Sequence, residues 1–290
     1  DRSALTAALH TGDIHGTYGL LYDNYVLFDG NPEYTINSCA TSRCFFGQFN
    51  FESEIMQDQN IRKAIEMGID KEGFCSVIME GRGLPAKAAF PDSFSYGNEA
   101  VETVSYDPEG AKKLLEESGW KDTDGDGYAD KDGQKLTIDW LTYPTRLEQP
   151  KLAEYAQATL KEIGIDVVVN NTSDHMTYAA DGDFDVYVSS TTTAPTGDPE
   201  YFFTSTVVGP KNYGKYENKE VTALTEKLHQ AFEPEERAKL ATELQQKILD
   251  DDGFFFVSHL NMGIVTKSNV KGMAAHPCDY YEITADLDVE

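Results

Sequence analysis

Basic residues, cysteine and long apolar runs are all scarce in this 290-residue chain, and each shortage removes a class of function. Only 24 Lys and Arg stand against 50 Asp and Glu, a formal charge of −26 at neutral pH. A surface of that sign repels phosphate backbones and anionic headgroups, so neither nucleic acid nor an acidic membrane is an expected partner. The apolar stretch Phe254–Val257 is far too short to cross a bilayer and reads as a buried strand. No leader-like segment opens the chain; Asp1-Arg2-Ser3-Ala4-Leu5 reads as the middle of a longer polypeptide, with any signal segment expected upstream.

The cysteines are Cys39, Cys44, Cys75 and Cys278, and no pair has the spacing of a structural zinc knuckle. Cys39 and Cys44 suit a short-loop disulfide in an oxidising compartment, and free buried thiols suit them equally. Catalytic signatures are absent too. There is no Gly-x-Ser-x-Gly elbow, Walker loop, Gly-x-Gly-x-x-Gly turn or His-Glu-x-x-His helix. The six histidines are scattered, and the carboxylates are too numerous for one acid/base pair to stand out. The chain is therefore read as a non-enzyme.

What is present is a globular pattern, with 40% hydrophobic and 26% charged residues. Helical spacing runs through Leu5, Ala8 and Leu9, through Ile61, Ile65 and Ile69, and through Phe74, Val77 and Ile78 behind a capping Asp70. Asp107-Pro108-Glu109 is a helix start, since Asp accepts free amides, Pro tolerates the first turn and Glu suits the dipole; Gly119 ends that helix. A strand over Leu136–Leu141, a helical stripe from Leu152 to Ile163 and an apolar run over Ile165–Val169 form a βαβ unit, which predicts a parallel pair. Phe184–Ser189 is a further strand. Two helices follow, marked by Val221, Leu224 and Leu228 and by Leu240, Leu244 and Ile248, then a last strand over Phe254–Thr266. The fold class is α/β with a mixed sheet.

Two motifs carry metal-binding potential. Asp122, Asp124, Asp126, Tyr128 and Asp130 occupy the positions of the front half of an EF-hand loop, with oxygen donors at alternate residues. Position twelve is Gly133, where a bidentate Glu belongs, so a plain Asp/Gly turn competes with calcium as the explanation. His276-Pro277-Cys278 places two soft ligands together, too few for a transition-metal site by themselves.

Phe49-Asn50, Asp58, Ile61-Arg62-Lys63-Ala64-Ile65 and Ile69-Asp70-Lys71 resemble the signature segment of the family 5 extracellular solute-binding proteins. Tyr106-Asp107-Pro108, Gly119-Trp120, the Asp/Gly turn, Asp183-Phe184-Asp185 and Asp198-Pro199-Glu200-Tyr201-Phe202-Phe203 extend the resemblance in order. It implies the peptide- or nickel-capturing subunit of an ABC importer, a monomer outside the cytoplasm (periplasmic or lipid-anchored) that delivers solute to permease subunits. It implies a type II periplasmic-binding-protein fold and divides the chain accordingly. Residues 1–43 are the tail of a first lobe, 44–51 a hinge strand, 52–253 a complete second lobe, and 254–290 a hinge strand and the return.

Peptide-binding members resemble one another in a Trp and an ammonium-pairing Asp before the Asp-Pro; Thr192 and Pro195 stand there here. Thr193-Ala194-Pro195-Thr196-Gly197 is more similar to the nickel branch, although residues 207–216 lack that branch's histidine. The implied solute is therefore nickel or a metal chelate, with oligopeptide or dipeptide as the alternative and hydrolysis a distant third. No cofactor is required. On position, Arg43, Thr191, Thr192, Thr193, Pro195 and Tyr281 are the expected lining of the second lobe's side of the cleft.

Overall fold

A computed structural model describes residues 2–278 and 283–290, with the side chains of Arg2, Ser3 and Tyr22 left aside. The strands that position the site are β1 (Gly16–Tyr18), β2 (Tyr34–Phe49), β3 (Gly83–Pro85), β4 (Thr137–Thr142), β5 (Asp166–Asn171), β6 (Val186–Thr192) and β7 (Phe254–Lys267). They form one mixed sheet in the order β1-β7-β2-β6-β4-β5, with β3 also on β7. The principal helices are α1 (Arg2–Thr11), α2 (Gln59–Gly68), α3 (Pro108–Glu117), α4 (Glu148–Glu162), α5 (His175–Asp181), α6 (Lys219–Gln230) and α7 (Pro234–Asp250).

The predicted βαβ unit is present: β4 and β5 pair in parallel from Thr137↔Asp166 to Thr142↔Asn171, with α4 as the crossover. β6 lies parallel on the other side of β4. β2 and β7 are long antiparallel partners, and the proposed boundary between residues 43 and 44 falls inside β2. One core packs β4, β5 and β6 against α2 and α4 around Trp140 and Phe255, and a second packs Phe46, Phe90, Phe202 and Phe254 against α6 and α7. Gly47 sits where β2 meets β7, and a Cβ there would overlap the Phe255 ring.

Local chemistry sets the helix ends. Asp107 caps α3 by accepting from the Gly110 amide at 2.9 Å, and Gly119 adopts φ +85° beyond its end, a backbone state glycine takes without a Cβ clash. Asp58 caps α2, whose Arg62 is buried and donates to the carbonyls of Met56, Asp251 and Asp252. That guanidinium ties the start of α2 to the turn between α7 and β7, which gives the Ile61-Arg62-Lys63 signature a structural task. The apolar stripe through Phe74, Val77 and Ile78 needs correction. After one α-turn at Lys71–Gly73 the backbone widens into a π-turn over Phe74–Ile78, which turns Val77 outward to 69% exposure.

Cys44 and Cys75 are free, buried thiols, so the Cys39–Cys44 bridge is not formed here. Burial pushes the Cys44 thiol well above its ordinary range and Cys75 up to about 11. No helix among the described residues is long and apolar enough to cross a membrane.

Candidate functional site

In open α/β sheets ligands gather beyond the carboxyl ends of parallel strands, where loops diverge and backbone carbonyls need partners. Here those ends are Thr142 of β4 and Thr192 of β6, and β2 brings Arg43 into register beside Thr192. The β2–β7 ladder breaks at this level: Ala40 faces Asn261 and Cys44 faces His259, so Thr41, Ser42 and Arg43 bulge outward. The bulge is pinned on three sides. Thr41 Oγ1 donates to the Leu260 carbonyl at 3.0 Å, Ser42 N to the Pro277 carbonyl at 2.6 Å, and Thr193 N to the Ser42 carbonyl at 2.8 Å.

The expected lining residues divide by burial. Arg43, Thr191 and Pro195 are half-buried at this edge. Thr192 is 5% exposed, and Thr193 is wholly enclosed, its hydroxyl set 2.9 Å from the Ser42 carbonyl and 2.7 Å from that of Ala89. Thr193 therefore clamps the bulge rather than facing solvent. Tyr281 lies outside the described residues. His276 is half-buried next to Pro277, whose carbonyl accepts from the bulge.

Beside Thr191 a cavity of about 290 Å³ opens between β6, α5 and the loop after residue 206. Aromatic rings and hydroxyl side chains share its walls. The Tyr143 and His175 rings stack at 4.3 Å, Tyr187 meets Tyr213 edge to face at 5.8 Å, and His175 Nδ1 lies 2.8 Å from the Tyr187 hydroxyl. Burial lowers the His175 pKa, which favours the neutral ring, and raises that of the Tyr187 phenol. Tyr143, His175, Tyr187 and Tyr213 escaped the sequence reading because they come from four separate segments. Tyr143 directly follows the end of β4, which is a local signal that could have pointed to one of them.

Nearby, Asp198 of the Asp-Pro motif is committed elsewhere. Arg237 binds it through Nε to Oδ2 at 2.8 Å and Nη2 to Oδ1 at 2.7 Å, and Arg237 also holds Glu200 at 2.8 Å. Burial alone would raise the Asp198 carboxyl, but Arg237 and the Glu200 amide hold it below the ordinary range. Glu200 in turn bonds His229 Nδ1 at 2.6 Å.

The Asp/Gly loop stands at the other end of the same strands. Its exit, Ala129, bonds Gly164 ahead of β5 and Leu136 ahead of β4. The carboxylates of Asp122, Asp124 and Asp130 come within 4.8 Å of one another. Each also accepts hydrogen bonds from amides inside the loop: Asp122 from Gly125 and Gly127, Asp124 from Asp126, and Asp130 from Thr123. Asp126 accepts from the Tyr128 amide, while the Tyr128 ring lies under Lys135 at 4.2 Å.

A two-sided α/β lobe with a loop-lined edge at its parallel strand ends is the architecture of a type II binding-protein lobe. The family model of the bacterial extracellular solute-binding proteins, family 5 (middle), matches residues 1–214, and the chain belongs to that family. Oligopeptide-binding protein AppA of Bacillus subtilis (strain 168) is 28% identical over 98% of this chain and 53% of its own length. The nickel-binding periplasmic protein of Escherichia coli (strain K12) is 29% identical over 71% of this chain and 40% of its own length. A crystal structure of a nickel ABC transporter protein from Bacillus halodurans superposes with TM-score 0.83 at 26% identity, covering all of this chain and 61% of that one. The chain thus spans about half the length of the curated relatives it matches.

Proposed function

We propose that this chain forms the second lobe of the solute-capturing subunit of an ABC importer, acting outside the cytoplasm with permease subunits and catalysing no reaction. Solute enters against the ends of β4 and β6, and closure of a facing lobe holds it, because only a ligand touching both surfaces favours the closed state. The solute read from this face is nickel carried within an organic chelator.

One observation carries that choice: the first carboxylate after the Thr191–Thr193 run in the chain, Asp198, is already spent on Arg237. A free peptide brings an α-ammonium whose burial needs an opposing charge. A bare divalent cation needs several anionic or imidazole ligands. A chelate brings its own anionic ligands, and hydroxyls, ring edges and a neutral imidazole are suited to its organic part. The AppA match over 98% of the chain favours the second reading, an oligopeptide solute.

Native mass spectrometry of the longest natural polypeptide containing this chain separates the two. A co-purified adduct carrying nickel after incubation with nickel(II) and L-histidine supports the chelate. Co-purified peptides support the alternative, and turnover of an ester or peptide pool would contradict both.

A further inference from the structure

The cavity beside Thr191 has a composition at odds with the rest of the surface. In a chain with 50 acidic residues, none of its lining side chains is a carboxylate, and the only formal charge among them is Lys211. The other large concavities described here all include carboxylates, five of them in the one around Asp139, Asp181 and Asp185. The cavity's one cationic group, the Lys211 ammonium, is exposed and donates to the Tyr201 hydroxyl at 3.1 Å.

Hydrogen bonding orients the imidazole within it. Tyr187, kept protonated by burial, shares a 2.8 Å hydrogen bond with His175 Nδ1. With Tyr187 as the donor, the His175 proton sits on Nε2, for which no described residue supplies a partner. The stacked Tyr143–His175 pair and the Tyr187–Tyr213 pair give the cavity flat walls. The π-turn over Phe203–Val207 places Thr206 in the lining as a further hydroxyl. A volume of about 290 Å³ exceeds the roughly 150 Å³ of a cavity known to hold benzene, so a substituted single ring or a bicycle fits.

We propose that this cavity is a solute subsite that takes a planar aromatic or heteroaromatic ring bearing an anionic oxygen, with the ring against the Tyr and His walls and the oxygen toward His175 Nε2 and Lys211. The assignment rests on the reading of this edge as the solute side of the lobe. It selects for anions and against cations, because a protonated amine would meet an N–H donor and an ammonium.

The test is a titration of the 290-residue chain, followed by NMR of its histidine and tyrosine ring signals, with three probes: indole-3-carboxylate, 3-(aminomethyl)indole and cyclohexanecarboxylate. Indole-3-carboxylate should perturb the His175 signals with a Kd of the order of 1 mM, as suits a ligand of about a dozen heavy atoms. The amine and the non-planar acid should each bind at least tenfold more weakly. His175→Phe keeps a ring in the wall and removes the N–H, and it should weaken the carboxylate at least threefold; Tyr213→Ala should weaken it as well. Equal binding of the amine, or no shift at His175 up to about 20 mM carboxylate, overturns the subsite. Neither result touches the importer reading, which the chelate incubation of the longer polypeptide tests separately.

Discussion

Arg237 grips Asp198 at two points, 2.8 Å and 2.7 Å, and the same guanidinium donates through Nη1 to the Leu228 and Ala231 carbonyls at the end of α6. The pair joins the Asp-Pro turn after β6 to the helix pair α6–α7. It gives the Asp-Pro motif a scaffolding role, which removes its carboxylate from the solute's side of the account.

Arg237→Gln should cost about 2 kcal/mol in urea unfolding, toward the low end for charged hydrogen bonds because Asp198 is 39% exposed. Asp198 and Glu200 both have folded pKa values below their unfolded ones. Their stabilisation is therefore present above about pH 4 and lost as the pH falls through the folded values. Asp198→Asn should flatten that acid limb and leave the carboxylate preference of the cavity unchanged.

His259 makes a second, separable pH effect. It is fully enclosed in β7, with Nε2 3.3 Å from Asn98 Oδ1, and burial pushes its pKa down to about 3. The unfolded chain takes up a proton near pH 6.5 that the folded chain refuses. Stability should therefore fall as pH drops below about 6.5, by up to about 1.4 kcal/mol per unit. His259→Gln should remove that slope between pH 6 and 5, where few carboxylates titrate. An unchanged slope in equilibrium unfolding would assign the effect elsewhere.

Gly47→Ala tests the β2–β7 contact. The new methyl must displace the enclosed Phe255 ring, which also packs on Phe49 and Trp140. A loss of about 1–3 kcal/mol is expected, with unfolding still a single transition.

Calcium should matter little. The loop carboxylates are already accepting loop donors, and Gly133 offers no closing ligand. At 1 mM calcium the melting temperature should rise by about 1 °C or less relative to chelated buffer. A rise of several degrees, lost in Asp124→Asn, would make the loop a calcium site.

Much of the fold could be read in advance because its signals are local. The Asp107 cap, the Gly119 stop and the β4–α4–β5 unit all lie where residue type and spacing indicate. Phe184–Ser189 was placed a little early, since the threonines after it continue the strand to Thr192. Val77 looked inward on an α-helical period, and the π-turn changed the period. The site was less legible. Thr193 has the same residue type as Thr191, and only the bulge in β2 buries one and leaves the other half open. The aromatic cavity depends on four segments meeting across the sheet, a pattern that no local period encodes.

The most direct test of the whole account is hydrogen exchange of the longest natural polypeptide containing this chain, with and without nickel(II) and two equivalents of L-histidine. Added protection is expected at residues 143–147 and 190–196 and along the β2 bulge at 41–43, with the Asp/Gly loop at 122–133 unchanged. Protection confined to 122–133, or no change anywhere while a tetrapeptide protects 190–196, would contradict it.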